Sequence, residues 1–246
     1  MHFKLSIKLY IPIKYMDVLS LEDIDKIEIN INLPDESSIQ KKFSSLDIPI
    51  NKIKTKSFPI INIRYVDIAN SLLADIPLIS MRGEHTIMDV NYNRISFMIS
   101  MKSTIIHISK PKKNKSISEN EFQTVVADIN YITGLVIGSL NLINKKIKRE
   151  IKISIKMDGL FKNSFEDKID KTFVDSLAIT EVDKIDFARY ENKGKDSKMK
   201  IEYSFRKGKT DRIDIKEIVD GNFSPIDIKD VVNTRLQNLN NLLDRW

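Results

Sequence analysis

Hydrophobic residues recur along this chain with two different periods, and the helical period is clearest between residues 118 and 150. Ser118 and Glu121 have the spacing of a capping box, in which each side chain satisfies a backbone N–H of the first turn. Apolar residues then follow at steps of three and four, as on one face of a helix. The stripe consists of Phe122, Val125, Ile129, Ile132, Val136, Leu140, Ile143 and Ile147. The pattern predicts one long helix over 118–150.

The uncharged stretch 129–144 raises the alternative of a membrane span. It has 16 residues, and these include three Asn, one Thr and one Ser. A span needs about 20 mainly apolar residues, so a buried helix is the favoured interpretation and no membrane partner is expected. Gly134 and Gly138 lie one turn apart, which predicts close packing of this helix against a sheet or a second helix.

Elsewhere the period is two, which is typical of half-buried strands. Strands are predicted at 3–9, 24–29, 58–65, 84–91, 94–101, 104–109, 151–157, 183–190, 198–206 and 212–219. Helical spacing predicts three further short helices, at 35–45, 67–74 and 164–177. Runs of strands followed by a helix predict an α+β fold with antiparallel pairing, because alternating strands and helices would instead indicate a parallel sheet.

Three short stretches recur in the same order. The matched segments are 3–9 with 151–157, 24–29 with 182–187, and 117–122 with 223–228. The last match predicts that Ser224 caps a final helix as Ser118 caps the first.

The recurrence predicts two related halves, 1–149 and 150–246, with an insertion at 34–82 in the first. Each half is expected to contain several antiparallel strands and then a long C-terminal helix packed on the sheet. This order of elements is similar to that of SecB-type export chaperones, although the sequence carries no motif of that family.

Composition narrows the class of protein. The chain has 246 residues, 41% hydrophobic and 30% charged, which is typical of soluble globular proteins and fits one large domain or two ordinary ones. No cysteine is present, which excludes disulfides, thiolate nucleophiles and zinc–thiolate sites. Because the N terminus also lacks a signal-peptide pattern, we expect a cytoplasmic location.

The charge balance is basic, with a net charge of +6. Such a balance can indicate binding to nucleic acid or to another anionic surface. The chain is also rich in Ile, Lys and Asn together, so that much of the lysine reflects composition, and a solvated surface is the favoured interpretation. The candidate binding residues, all in basic segments, are Lys112, Lys113, Lys115, Lys207, Lys209 and Arg212.

Two weak constellations could carry catalysis. His85 and Asp89 lie on one face of a predicted strand, as a general base and its orienting carboxylate would. Asp186, Glu191 and Lys193 have the loose spacing of a metal-dependent nuclease. A solvated strand face is the favoured interpretation of the first. For the second it is chance spacing, because such arrangements arise freely in a chain this rich in Asp, Glu and Lys. The sequence has no glycine-rich nucleotide loop and no metal-binding spacing, so no cofactor and no metal are predicted.

These observations predict a non-enzymatic binding or assembly protein. Its contact surface is expected to be the groove between the two halves or the basic loops. A protein is the preferred partner, while nucleic acid and a second copy of the chain stay open. The alternative hypothesis is a nucleic-acid-binding or metal-dependent nuclease component that uses the basic loops.

Overall fold

The computed structural model describes residues 18–34, 53–63, 79–91, 93–102, 115–143, 145–157, 184–192, 198–206, 210–222 and 225–243. Within these residues the fold is α+β, with nine antiparallel strands in one sheet and two α-helices. The strands are β1 (Ile24–Asn32), β2 (Ile60–Ile63), β3 (Ile79–Arg82), β4 (Thr86–Val90), β5 (Arg94–Ser100), β6 (Lys146–Met157), β7 (Lys184–Asn192), β8 (Lys198–Arg206) and β9 (Asp211–Asn222). The helices are α1 (Glu119–Ser139) and α2 (Ile228–Leu243).

The strand order in the sheet is β2-β3-β4-β5-β1-β6-β9-β8-β7. β1 and β6 are neighbours at the centre and pair antiparallel, with Ile27 opposite Ile153. β5, β4, β3 and β2 follow outward from β1, and β9, β8 and β7 follow outward from β6. On each side the last strand of the run therefore returns to lie beside the first.

Alternation along the strands gives the sheet two different faces. In β1, Ile27, Ile29 and Ile31 are fully buried, and they belong to the same core cluster as the apolar stripes of both helices. Lys26 and Glu28 alternate with them and lie on the opposite face, where they stay partly exposed. We call this second surface the helix-free face, because neither of the two described helices packs on it. It comprises the strand positions that share a register row with Lys26, Glu28, Asn30 or Asn32 of β1, or with Lys146 or Lys156 of β6.

The predicted start of the first helix is confirmed. The Ser118 N–H donates to Oε2 of Glu121 at 2.9 Å, and the Glu121 N–H donates to the Ser118 hydroxyl at 3.3 Å. This is the reciprocal arrangement of a capping box. The predicted stripe is buried along the helix, at Phe122, Val125, Ile129, Ile132 and Val136.

The predicted end of this helix at residue 150 is wrong, because α1 ends at Ser139. The Leu142 N–H donates to the carbonyl of Ile137 and the Asn141 N–H to that of Gly138, both at 3.0 Å. Asn141 has φ 56°, so the pattern is a Schellman motif with asparagine in the left-handed position. Ile147 belongs instead to β6, whose backbone pairs with β1 and β9 on its two sides.

The prediction of close packing at Gly134 and Gly138 is also wrong. No described atom comes within 4 Å of a Cβ built at either position, beyond the helix's own turns. Gly134 is exposed. Both glycines therefore lie on the outer side of α1 rather than against the sheet.

The matched segments do not occupy equivalent places. β1, from the 24–29 match, lies at the sheet centre, whereas β7, from the 182–187 match, lies at its edge. In α2 the cap is Asp227, whose Oδ1 accepts the Asp230 N–H at 2.9 Å, and not the predicted Ser224. Ser224 and the segment 3–9 lie outside the described residues.

Most other predicted strands are present. The strands predicted at 84–91 and 94–101 form the β4–β5 hairpin, and those predicted at 183–190, 198–206 and 212–219 form β7, β8 and β9. The 58–65 strand is present in shorter form as β2. The short helices predicted at 35–45, 67–74 and 164–177 and the strand predicted at 104–109 lie outside the described residues. Within the described ranges, neither α1 nor α2 has the combination of length and hydropathy that a membrane-spanning helix needs.

Candidate functional site

The helix-free face carries two open clefts that meet at the central strand pair. The larger, of about 530 Å³, is lined mainly by side chains of β6, β7, β8 and β9. The smaller, of about 290 Å³, is lined by side chains of β1, β4 and β5. Glu28 of β1 lines both clefts. The two clefts therefore form one groove across the β1–β6 pairing. It extends over the strands on either side of that pairing, on a single face of the sheet.

Strand alternation brings opposite charges together in the larger cleft. In register, Glu28 lies opposite Lys152 and Lys216 lies opposite Glu202, and opposite charges on facing strands attract. The carboxylates that line this cleft all have a basic partner. The ion pairs are Lys216–Glu150 at 3.0 Å, Lys184–Asp186 at 2.6 Å, Lys152–Asp214 at 3.6 Å, and the close pairs Lys26–Glu28 and Lys200–Glu202.

Asp214 is the buried anchor of this charge network. Its Oδ1 accepts from the Ser154 hydroxyl at 2.7 Å and from Nε of Arg212 at 2.9 Å, while Nζ of Lys152 lies 3.6 Å from its Oδ2. Burial alone raises the pKa of Asp214, but the hydrogen bonds from Ser154 and Arg212 and the charge of Lys152 outweigh it, so that the pKa is lowered. The carboxylate is thus held in its ionised form.

The helix-free face as a whole is basic. Acidic side chains occupy seven described strand positions of this face: Glu28, Asp89, Glu150, Asp186, Glu202, Asp214 and Asp220. Basic side chains occupy thirteen: Lys26, Arg82, Arg94, Lys146, Lys148, Lys152, Lys156, Lys184, Lys198, Lys200, Arg206, Arg212 and Lys216. Asp25 of β1 has no register partner but binds Lys156, and so adds an eighth carboxylate. The excess of five positive charges on one surface gives it a positive field.

The predicted binding residues are distributed over different places. Arg212 lies on the helix-free face, where it binds Asp214. Lys115 lies at the start of α1, where its Nζ is 2.7 Å from Oε1 of Glu121, and this contact raises the pKa of Lys115. The remaining predicted binding residues lie outside the described residues: Lys112, Lys113, Lys207 and Lys209.

His85 and Asp89 line different cavities. His85 is buried just before β4, with Nδ1 3.1 Å from the carbonyl oxygen of Ser100. It lines a cavity of about 160 Å³ beneath α1, whereas Asp89 lines the smaller cleft of the helix-free face. The structure therefore does not bring these two side chains into one cavity.

The nuclease candidates are placed by the register of β7. Asp186 lies opposite Ser204 and Glu191 lies opposite Met199. The two positions differ in parity along the strand, so the register does not put them on one face. Lys193 lies outside the described residues. Among the residues that the structure describes, no group of three or more His, Asp or Glu side chains could hold a metal ion.

Sequence reasoning missed the Ser154–Asp214 network and a buried pair between Glu217 and Arg235. The second had a readable signal, since Glu217 continues the phase of Ile213 and Ile215, the core-facing positions of β9. A charged residue in the core phase of a strand indicates a buried partner.

No protein-family model, curated protein or solved structure matches this chain.

Proposed function

We propose that this chain is a non-enzymatic binding or assembly protein that contacts a protein partner through its helix-free face. The observation that carries the proposal is the open groove that crosses the β1–β6 pairing, with Glu28 in both clefts. Nine strands at about 4.8 Å spacing give a face about 38 Å wide, and strands such as β5 are about 23 Å long. This area matches the roughly 800 Å² that each partner contributes to a standard interface.

The charge pattern of the groove suits a protein partner. Paired acidic and basic side chains present both signs within one surface, which favours electrostatic complementarity with a folded surface of mixed charge. An ionised carboxylate held by basic partners, such as that of Asp214, is a poor general base near neutral pH. The proposal therefore uses these groups for recognition and gives them no catalytic step. On the cysteine-free composition, we propose the cytoplasm as its location.

We further propose that the chain consists of two fused copies of one strand-rich unit. It is supported by the strand order, in which β1-β5-β4-β3 and β6-β9-β8-β7 run outward from the centre in the same sequence, each followed along the chain by a helix. On this view the boundary lies in the 140–145 connection rather than at 149, because β6 already begins at Lys146. The groove then crosses the seam of a former two-fold dimer interface.

Nucleic-acid binding is the second candidate function. It is favoured by the excess of positive charge on the helix-free face. Binding of single- or double-stranded DNA or RNA would then weaken steeply with salt, because phosphate contacts release counterions. Undetectable binding to all of these at low ionic strength removes this candidate.

Affinity capture from the native host tests the main proposal. Two charge reversals on the helix-free face, Lys148→Glu with Lys198→Glu, are compared with two on the segment that packs against α1, Lys54→Glu with Lys56→Glu. All four lysines are exposed, and each variant changes the net charge equally. We expect the same protein to be captured by the wild type and the control, and lost from the face variant. Because Lys148 and Lys198 both lie opposite Asp220, circular dichroism checks that the face variant remains folded.

Two results overturn the proposal. One is capture that the face variant keeps, whether or not the control variant loses it. The other is captured material that a nuclease removes completely, which would support the second candidate function instead.

A further inference from the structure

Four basic side chains lie in one register row at one end of the helix-free face. Lys156 lies opposite Arg212, Arg212 opposite Arg206, and Arg206 opposite Lys184. This cationic row crosses four neighbouring strands, β6, β9, β8 and β7, and spans about 14 Å. Like charges directly opposite each other destabilise a sheet, so these four side chains lower the stability of the fold.

Acidic neighbours offset only part of this repulsion. Nζ of Lys156 lies 2.8 Å from Oδ2 of Asp25, and Lys184 and Arg212 pair with the aspartates two positions along their own strands. Three carboxylates thus face four cations. The side chains of Lys156 and Lys184 are 46% and 48% exposed, and Arg206 is exposed, so the row remains open to a partner.

We propose that the cationic row docks an extended acidic segment of the partner protein, an inference that rests on the proposed function. An extended chain places alternate side chains on one side about 7 Å apart. Carboxylates at positions i, i+2 and i+4 therefore span about 14 Å, the length of the row. Arg206 supplies a planar guanidinium that can bind a carboxylate through two parallel hydrogen bonds.

A carboxylate-bearing segment fits this row better than a nucleic acid does. By strand parity, the aromatic side chain among the described positions of the helix-free face is Tyr190, six residues from Lys184 along β7 and so about 20 Å away. Tyr203 also lines the larger cleft, but it packs against the core. Binding of single-stranded nucleic acid relies on aromatic side chains beside the positive groove.

Fluorescence anisotropy with a labelled peptide that carries Glu at alternate positions tests the row in the full chain. Arg212 is left in place, because its guanidinium holds the buried Asp214. The row variant combines Lys156→Gln, Lys184→Gln and Arg206→Gln. The control variant combines Lys146→Gln, Lys148→Gln and Lys198→Gln, at the opposite ends of strands on the same face. The two variants remove equal charge.

We expect the wild type to bind the peptide at low ionic strength and the row variant to bind about tenfold more weakly, from the loss of three exposed charge contacts. The control should change the Kd by less than about twofold, because only long-range attraction is lost. No binding by the wild type, an equal loss in both variants, or tighter binding of a single-stranded oligonucleotide to the row overturns the proposal.

Failure of the row can be told apart from failure of the proposed function. Capture of the native partner that survives in the row variant but is lost in the Lys148→Glu, Lys198→Glu variant overturns the row alone. Capture that neither variant affects overturns both.

Discussion

Arg235 of α2 and Glu217 of β9 form an ion pair inside the core. Nε and Nη2 of Arg235 each lie 2.7 Å from Oε2 of Glu217, and the two side chains are only 7% and 5% exposed. Nη2 also donates to the sulfur of Met199 at 3.6 Å. Arg149 lies near the same carboxylate. Burial lowers the pKa of Arg149, and the charge of Glu217 offsets only part of this effect. The pair ties α2 to one position over the sheet.

The first prediction concerns this pair. Arg235→Met leaves the carboxylate of Glu217 without its principal partner, and removal of one member of a buried pair costs about 3–5 kcal/mol. Urea denaturation should show this loss of unfolding free energy. Arg235→Met combined with Glu217→Met should lose less, because no carboxylate is then stranded in the core. A double variant no more stable than the single one would contradict this account.

The second prediction concerns Gly134. Because a Cβ at this exposed helical position meets no described neighbour, Gly134→Ala should only reduce the freedom of the unfolded chain. We expect a gain of about 0.5–1 kcal/mol in unfolding free energy and a higher Tm. A loss of stability would show that this side of α1 is covered.

Gly83 is expected to behave in the opposite way. A Cβ at this position would lie 1.9 Å from the carbonyl oxygen of Ser57 and 2.6 Å from the hydroxyl of Thr86. Since the first of these is a backbone atom, it cannot rotate away. Gly83→Ala should therefore cost about 1–3 kcal/mol through overpacking, measured by thermal or urea denaturation with Gly134→Ala as the matched control. Unchanged stability would mean that the segment 53–58 is free to shift.

The capping box of α1 predicts a specific pH dependence. Hydrogen bonds from Lys115, from the Ser118 backbone and from the Ser118 hydroxyl lower the pKa of Glu121 from 4.5 to about 2. Because the pKa in the folded chain is depressed, the contribution of this carboxylate is present above pH 4.5 and is lost as the pH falls towards 2.

NMR titration of the Glu121 carboxyl checks the depressed pKa. Urea denaturation should show that Glu121→Gln lowers stability at pH 6, and that the difference from the wild type shrinks as the pH approaches 2. A difference that stays constant across this range would contradict the assignment.

Local patterns in the sequence predict much of the fold. The period of two locates β1, β4, β5, β8 and β9, and the Ser118–Glu121 spacing predicts the start of α1. The end of α1 is not visible in the same way, because Ile143 and Ile147 continue the helical spacing by chance. Ile147 is in β6 instead, because β6 pairs with strands that are distant in sequence. A single asparagine in the left-handed conformation, Asn141, ends the helix before it.

The candidate site is harder to predict, because it depends on which strands become neighbours. The basic and acidic positions of β6, β8 and β9 are readable as the outer phase of each strand. Their assembly into a groove requires the strand order, which local alternation does not specify. The cationic row likewise exists only because the registers bring Lys156, Arg212, Arg206 and Lys184 level with one another.

Lysine footprinting of the chain bound to its captured partner tests the central claim most directly. Acylation of exposed lysines in the free and bound forms compares the helix-free face, at Lys148, Lys184 and Lys198, with the helix side, at Lys54 and Lys229. We predict that the partner protects the first group and leaves the second reactive. Protection of Lys54 and Lys229, with the helix-free face unchanged, would contradict the proposed binding surface.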